Sequence, residues 1–517
     1  MAFKFAIRPT VVFRGLQRCT QPVGIGQRSL IRSQQTQAAE NMEAKSYREM
    51  PGPKGLPVAG TLFDYVRDKS YLRVHEIQQE RVRQYGEIYR EKIFRYDTVT
   101  ISNPDDVLYL FRNEGKYPQR EPLFPLWMKY KEDRKQAHGV FSLQGEEWYK
   151  VRRILNMKML KPKVVGEYSQ QLNDVATDLL SQMKQTRDGD GVVPSIQQEL
   201  FKWSLESIGT VLFETRFGCF AKSPSVEAAK FIQTVEDLFH LFLKVFLIPV
   251  WIDKFYRLKG IQQFYDCMDV MYNFGDKCIE NRLKEIREKL ESGELQDEDT
   301  AEFLTFLISR DDISSTEITA NLVEILMAAV ETTSNTALWT LYALARNPDV
   351  QQKLHDEVSS VLEPGEVPTP AKLQKMPFLR GCVKETLRLT PVAWENARIL
   401  QEDIVIKGYR IPPKTMIRMP IYVMGRDPEL FDDPLKYKPE RWLRDNANKS
   451  PYHAYASLPF GFGTRMCVGR RVAELEMHLL LAQVSRNFWL ESLNEVKPAS
   501  ISLLVPDKEV KLRFVDR

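Results

Sequence analysis

A mainly α-helical fold with small β-sheets is what the sequence predicts. Apolar residues recur at helical spacing from about residue 68 onward, whereas Tyr89–Ile93 and Thr98–Ile101 read as short strands and Leu503–Phe514 as a closing hairpin. The composition is that of a packed globular protein, 43% hydrophobic and 27% charged. At 517 residues the chain can form one large domain or two to three ordinary ones. A net charge of +4 gives no argument for nucleic-acid binding.

The first 39 residues stand apart. Met1–Ala39 holds no Asp or Glu, while Lys4, Arg8, Arg14, Arg18, Arg28 and Arg32 recur among Ser, Gln and the apolar Phe3, Phe5, Ile7, Val11, Val12 and Phe13. Basic, amphipathic and acid-free is the composition of a mitochondrial transit peptide, with cleavage expected within Ser29–Ala39. Arginines interrupt any secretory apolar core, and no run approaches the roughly 20 apolar residues of a membrane anchor. Residues 40–60 follow as a proline-rich connector. Met50–Gly60 carries three prolines and three glycines, which preclude regular helix. The folded domain is expected over 61–517.

Within the body, Gln144-Gly-Glu-Glu-Trp-Tyr-Lys-Val-Arg152 opens a helix on which Trp148 and Arg152 share a face. Alone, the pair reads as an aromatic/cation contact on a helix surface. Leu238–Trp251 is strongly apolar but broken by Pro249, too short to span a bilayer; it suits core packing or interfacial docking. The longest expected helix is Thr319–Arg346. Ser314-Ser-Thr-Glu317 before it has the form of a capping box, and Asn347-Pro348 ends it. At its centre lies Ala328-Ala-Val-Glu331-Thr332-Thr333, an acid and a hydroxyl where both compete with the helix for hydrogen bonds. Met376–Leu389 is a further helix carrying Arg380, Lys384, Glu385 and Arg388. Glu385 and Arg388 can pair at three-residue spacing, and Arg441 in Tyr437–Trp442 can join them. Pro391–Arg398 is expected to be a strand, with Glu395 either contacting a substrate hydroxyl or facing solvent.

Cysteine usage is scattered: Cys19, Cys219, Cys267, Cys278, Cys382 and Cys467 show no CxxC pairing, which suits a reducing compartment. The six histidines form no metal motif. Cys467 differs from the other cysteines in context. It lies in Phe460-Gly-Phe-Gly463-Thr-Arg465-Met-Cys467-Val-Gly469, directly before the helical pattern Arg470–Leu481. Glycines let backbone wrap closely around a large flat object, a helix N-terminus favours a thiolate, and a thiolate is a soft metal ligand. A lone cysteine is otherwise usually a small buried apolar residue.

This stretch resembles the haem-binding loop of the cytochrome P450 family, in a chain that is similar to the family over about 55–517. It is most like the mitochondrial branch, which includes sterol 27-hydroxylase, vitamin D hydroxylases and cholesterol side-chain cleavage enzyme. The resemblance implies a single large mainly α domain with small sheets and a haem b whose iron is ligated by Cys467. It implies that Trp148, Arg152, Arg398 and Arg465 hold the haem propionates, and that Glu331 and Thr332 are the oxygen-activating acid and alcohol. Ala329 stands where the family usually has Gly. Glu385, Arg388 and Arg441 would brace the core without chemistry. With no flavin or nicotinamide fingerprint in the chain, electrons must come from outside. Arg380, Lys384, Arg470 and Arg471 would form the basic patch for an acidic ferredoxin of the adrenodoxin type. The expected function is hydroxylation of an apolar substrate, a sterol or secosteroid, at the matrix side of the inner mitochondrial membrane, with Leu238–Trp251 in peripheral contact with that membrane. The rivals are a reductase-coupled oxygenase of xenobiotics, a thiolate-haem isomerase or lyase, and a haem-binding sensor without turnover.

Overall fold

The computed structural model describes residues 43–120, 125–222, 226–246, 259–292, 302–443 and 452–517. The expected transit peptide and the end of the apolar run, residues 247–251, lie outside these residues. Helices of ten residues or more are α1 (Val74–Tyr85), α2 (Pro104–Asn113), α3 (Pro125–Arg134), α4 (Gly145–Met159), α5 (Ser169–Thr186), α6 (Ile196–Phe213), α7 (Val226–Phe246), α8 (Lys259–Glu291), α9 (Ser315–Arg346), α10 (Pro348–Val361), α11 (Pro377–Leu389) and α12 (Arg470–Asn487). Among the described residues no helix is long and apolar enough to cross a membrane.

The central element is α9, at 32 residues. It starts at Ser315, a turn before Thr319, because the capping box forms: the Ser314 hydroxyl accepts from the Glu317 amide at 3.3 Å, and the Glu317 carboxylate accepts from the Ser314 amide at 2.8 Å. Most of its length is buried, since α6, α8 and α11 pack around it. A helix with apolar residues on nearly every side can be stable only in such a position. The main core joins these helices to α5 and α12.

Strands β2 (Ile88–Ile93) and β3 (Tyr96–Ile101) form the expected hairpin. β7 (Met416–Met419) lies parallel to β3, and β4 (Asn396–Ile399) pairs antiparallel with β7. A second apolar cluster including Val99, Ile101, Leu110, Ile417 and Met419 packs this sheet against α2. A smaller sheet has the order β1 (Lys45–Ser46), β6 (Tyr409–Ile411), β5 (Ile404–Ile406).

Three expectations need correction. The proline-rich segment has no helix over 50–60 but is no free connector. Ser46 pairs with Arg410, the Pro51 carbonyl accepts from the Arg90 amide at 2.8 Å, and Thr61 donates its amide to Lys92. A Cβ on Gly52 or Gly60 would come within 1.9 Å of the Arg90 or Lys92 carbonyl oxygen, so bare backbone is needed where this segment meets β2. The folded body therefore starts before residue 61. The strand expected over Pro391–Arg398 is confined to Asn396–Ile399, since Pro391 ends α11 rather than entering the ladder. Finally, Leu503–Phe514 is not one hairpin. β10 (Leu503–Pro506) turns back on β9 (Pro498–Ile501), whereas β11 (Leu512–Asp516) returns to β8 (Phe488–Ser492) at the end of α12.

Candidate active site

The cysteine loop is built by its own backbone. The Cys467 amide donates to the Phe460 carbonyl at 2.8 Å, and the Met466 amide to Gly463 at 3.2 Å. Gly461 and Gly463 have φ of 68° and 72°, the left-handed region. A Cβ at Gly463 would also approach Glu114 Oε1 to 2.7 Å. The chain then enters α12 through Gly469, whose amide is directed at the Cys467 sulfur.

Cys467 has protein packed closely around it, yet its side chain retains accessible surface. Burial pushes its thiol up, while the Gly469 amide and the guanidiniums of Arg152, Arg120 and Arg470 pull it down. In the other described cysteines burial outweighs what support they have, such as Lys202 and Arg216 near Cys219 and Lys277 near Cys278. Burial pushes Cys278 up to about 12 and Cys267 to about 11, and raises Cys219 and Cys382 further.

Four arginines converge beside this loop from four separate segments. Arg465 donates to the Pro118 carbonyl at 2.8 Å and to Gln144 Oε1 at 2.6 Å, and lies 3.8 Å from the Trp148 ring centre. Arg152, one turn along α4 from Trp148, donates to the Met466 carbonyl at 2.6 Å. Arg398 on β4 pairs with Glu114 at 2.5 Å. Arg120, which the sequence did not single out, donates to the Arg465 carbonyl at 2.6 Å and leaves its Nε without a partner.

This cluster is short of negative charge. Burial, and then Arg398 and Arg152, push Arg120 down to about 9; burial, and then Arg120 and Arg398, do the same to Arg465. Burial pushes Arg152 down to about 10. Arginines stay protonated under such conditions, so the shifts express a crowd of cations seeking anions. Four guanidiniums face one carboxylate, Glu114. Two anionic arms and a thiolate would balance the remaining three charges. A haem with two propionates, ligated through Cys467, fits this donor set, the glycine-lined loop and the orphaned Arg120 nitrogen.

Glu331 and Thr332 sit at the middle of α9. Thr332 Oγ1 donates to the Ala328 carbonyl at 2.8 Å, with the Ala329 carbonyl at 3.4 Å. Glu331 is buried, with its Oε2 unpartnered, and burial followed by the neighbouring Glu236 holds its carboxyl well above the usual range. It therefore holds a proton more tightly than an ordinary glutamate does.

Glu385, Arg388 and Arg441 form one buried network. Glu385 accepts from Arg388 at 2.6 and 2.9 Å, from Arg441 Nε at 3.0 Å, from Trp442 Nε1 at 2.9 Å and from the Lys438 amide at 3.0 Å. Glu395 belongs to neither of its two expected roles: it accepts from Gln78 at 2.7 Å and pairs with Arg418 at 2.8 Å, bracing α1 against β7. In the basic patch, Arg380 and Lys384 both bear on His478 of α12, which burial and then these two cations push down to about 3. The four cations thus lie along adjoining helices. Arg470 and Arg471, however, share Glu474 at 2.9 and 3.4 Å, which offsets part of their charge.

Comparison with known proteins gives one consistent result. A family model described as Cytochrome P450 matches residues 50–514. Cytochrome P450 10 of Lymnaea stagnalis is 35% identical over 482 residues, covering 92% of this chain and 87% of that protein. The mitochondrial 1,25-dihydroxyvitamin D(3) 24-hydroxylase of Rattus norvegicus is 34% identical over 477 residues, covering 92% and 90%. The mitochondrial sterol 26-hydroxylase of the same organism is 35% identical over 485 residues, covering 92% and 89%.

Proposed function

The chain belongs to the cytochrome P450 family, and on that premise we propose that it hydroxylates a sterol or secosteroid in mitochondria, using dioxygen and electrons from a ferredoxin of the adrenodoxin type. It is a monooxygenase whose cofactor is haem b. The observation that carries the chemistry is Cys467, alone among the described cysteines in having an amide, guanidiniums and open space around its sulfur. The substrate class rests on the names of the vitamin D and sterol hydroxylases it resembles over nine-tenths of its length.

In this reading Arg120, Arg152, Arg398 and Arg465 hold the propionates, and Trp148 keeps Arg465 in place by stacking. The Gly469 amide and the α12 N-terminus stabilise the Cys467 thiolate. Bound haem supplies the oxygen chemistry: its thiolate-ligated iron activates dioxygen, one atom entering a substrate C–H bond and the other leaving as water. Glu331 stores a proton in a buried carboxyl, and Thr332 passes it on once its hydroxyl swings away from the Ala328 carbonyl. Ala329 places a methyl group in the same turn. Arg380 and Lys384, with Arg470 and Arg471, receive the ferredoxin, and the acid-free leader directs the chain to the matrix, where Leu238–Trp251 rests on the inner membrane.

The test is an optical titration of the mature haem-loaded protein with sterols, vitamin D compounds and fatty acids, after its reduced carbon-monoxide spectrum has been recorded. A thiolate-type Soret band and a low-to-high-spin shift with sterols or secosteroids alone are expected, followed by hydroxylated product once ferredoxin and its reductase are added. A folded, haem-loaded sample without the thiolate band would overturn the Cys467 assignment. A normal band with no response to sterols or secosteroids would overturn the substrate class.

A further inference from the structure

We propose that Glu324 on α9, with Asn321 one turn before it, is a positioning residue of the reaction: through the segment 139–144 it holds Glu331 and Thr332 at a fixed distance from Arg465 and from the cofactor that Arg465 binds in the reading above. This role rests on that reading of Arg465, Glu331 and Thr332.

The segment joins α3 to α4 and is tied at both ends. At the first end, four consecutive amides meet one face of α9. The Gly139, Phe141 and Ser142 amides donate to the Glu324 carboxylate at 3.0, 2.8 and 3.4 Å, and the Val140 amide donates to Asn321 Oδ1 at 2.7 Å. The Ser142 hydroxyl adds a bond to Glu324 at 2.8 Å. Lys131 on α3 completes the set. It is fully buried, as is Glu324, and its ammonium donates to that carboxylate, to Ser142 Oγ at 3.2 Å and to the Ala137 carbonyl at 3.0 Å. These three bonds use all of its hydrogens. A Cβ on Gly139 would come within 2.5 Å of Glu324 Oε2 and 2.9 Å of the Ala320 carbonyl oxygen, so bare backbone is needed this close to α9.

At the second end the segment meets the arginine cluster. The Leu143 carbonyl accepts from Arg465 at 3.2 Å, and Gln144 Oε1 accepts from Arg465 at 2.6 Å and from the Arg120 amide at 3.3 Å. The strap thus runs from α9 to an arginine two residues before Cys467. Along α9, Glu331 and Thr332 follow Glu324 by seven and eight residues, which keeps them near the same helix face and roughly 10–12 Å further on. A buried ion pair adds little net stability, because desolvation offsets its attraction. One that also gathers a run of backbone amides fixes geometry instead. It sets where the strap, and Arg465 with it, stands relative to α9.

The obvious variant, Glu324→Gln, leaves Lys131 buried without its counter-charge and so costs folded protein. The strap is better cut at its ends in the haem-loaded enzyme, with Asn321→Ala at α9 and Gln144→Leu at Arg465, singly and together. These two side chains bond to different groups, so independent effects would multiply. Three quantities are read: the rate of haem loss to apomyoglobin, the product formed per reductant consumed, and hydrogen exchange of the 139–142 amides. Each single variant should lose haem on the order of tenfold faster and waste more reductant. The double variant should be no worse than the poorer single one, because one cut already frees the strap. Gln144→Leu leaves every contact with α9 in place, yet should speed exchange at 139–142 on the order of tenfold. Losses in the double variant equal to the product of the two singles overturn the proposal. So does unchanged haem loss in Asn321→Ala, or unchanged exchange in Gln144→Leu. If Arg465→Met keeps haem as firmly as the parent, the reading of Arg465 fails instead, and the exchange data still decide whether the strap links the two ends.

Discussion

Replacing Arg388 should cost far more stability than replacing Arg441, although both bind Glu385. Arg388 is fully buried and donates two bonds to Glu385, at 2.6 and 2.9 Å. It also donates to the carbonyls of Gly425, Pro434 and Lys436. Arg388→Met breaks a buried ion pair, about 3–5 kcal/mol. It further orphans the Gly425 carbonyl, in a buried stretch, for about 1–3 kcal/mol. The Pro434 and Lys436 carbonyls lie near the surface and can turn to water. Arg441→Met removes one bond to Glu385, at 3.0 Å, and part-buried bonds to the Asp433 carbonyl and the Tyr452 hydroxyl, and leaves Arg388, Trp442 and the Lys438 amide on the carboxylate. A single charge-assisted bond is worth about 1.5–3 kcal/mol. Whole domains are stable by only about 5–15 kcal/mol, so Arg388→Met should yield little folded, haem-loaded protein while Arg441→Met should yield much. Urea unfolding followed by far-UV circular dichroism, with the reduced carbon-monoxide band as a check on the site, measures both. Arg388→Lys should fall between them, keeping the charge but losing the two-pronged geometry. Equal losses in the two methionine variants, or Arg388→Met within about 1 kcal/mol of the parent, would refute this reading of the network.

Stability should also fall with rising pH because of Glu476, a buried residue of α12 whose carboxyl is raised by burial from 4.5 to about 8. A raised folded value gives stability that is complete below the unfolded value and lost as pH rises through the folded one, so the window is about pH 5 to 8; Glu476→Gln should shrink the decline by on the order of 3–5 kcal/mol, and an unchanged slope in denaturation midpoints across this range would exclude Glu476 as its source. At low salt Lys384→Glu should raise the KM for ferredoxin about tenfold and Arg471→Glu about threefold or less, because Glu474 already offsets Arg471; a ranking of the two variants in the opposite order, measured across a salt series, would move the docking surface toward the start of α12.

What the sequence made legible follows the range of the interactions involved. The start of α9 could be read because Ser314 and Glu317 cap each other within one turn, and the cysteine loop because Gly461, Gly463, Cys467 and Gly469 act on neighbouring backbone. The Glu385–Arg388 pair could be read for the same reason. Glu395 could not, since the Arg418 that claims it stands on another strand. The last strand was assigned the wrong partner because β-forming residues state a preference for pairing without stating with what. Arg120, Glu114 and Gln144 gave no local signal at all. Each matters only because the fold brings the segments after α2, before α4 and before α12 together.

The same distinction separates the two halves of the proposed haem site. The ligand belongs to a motif: a few consecutive residues set the Cys467 backbone, its glycines and the helix start behind it. The anion cradle belongs to the tertiary structure, because Arg120, Arg152, Arg398 and Arg465 come from four segments and are held mainly by carbonyls at Pro118, Leu143, Met466 and Arg465 itself. Carbonyl oxygens fix where a guanidinium points without cancelling its charge. Had these arginines been held by carboxylates, as Arg388 is by Glu385, their charge would already be satisfied and the cluster would have no preference for an anion. Only Glu114 departs from that rule, and Gly463 has no side chain to keep it away. The cluster therefore carries its unpaired positive charge by construction, which is what a binding site for a dianionic, thiolate-ligated cofactor requires.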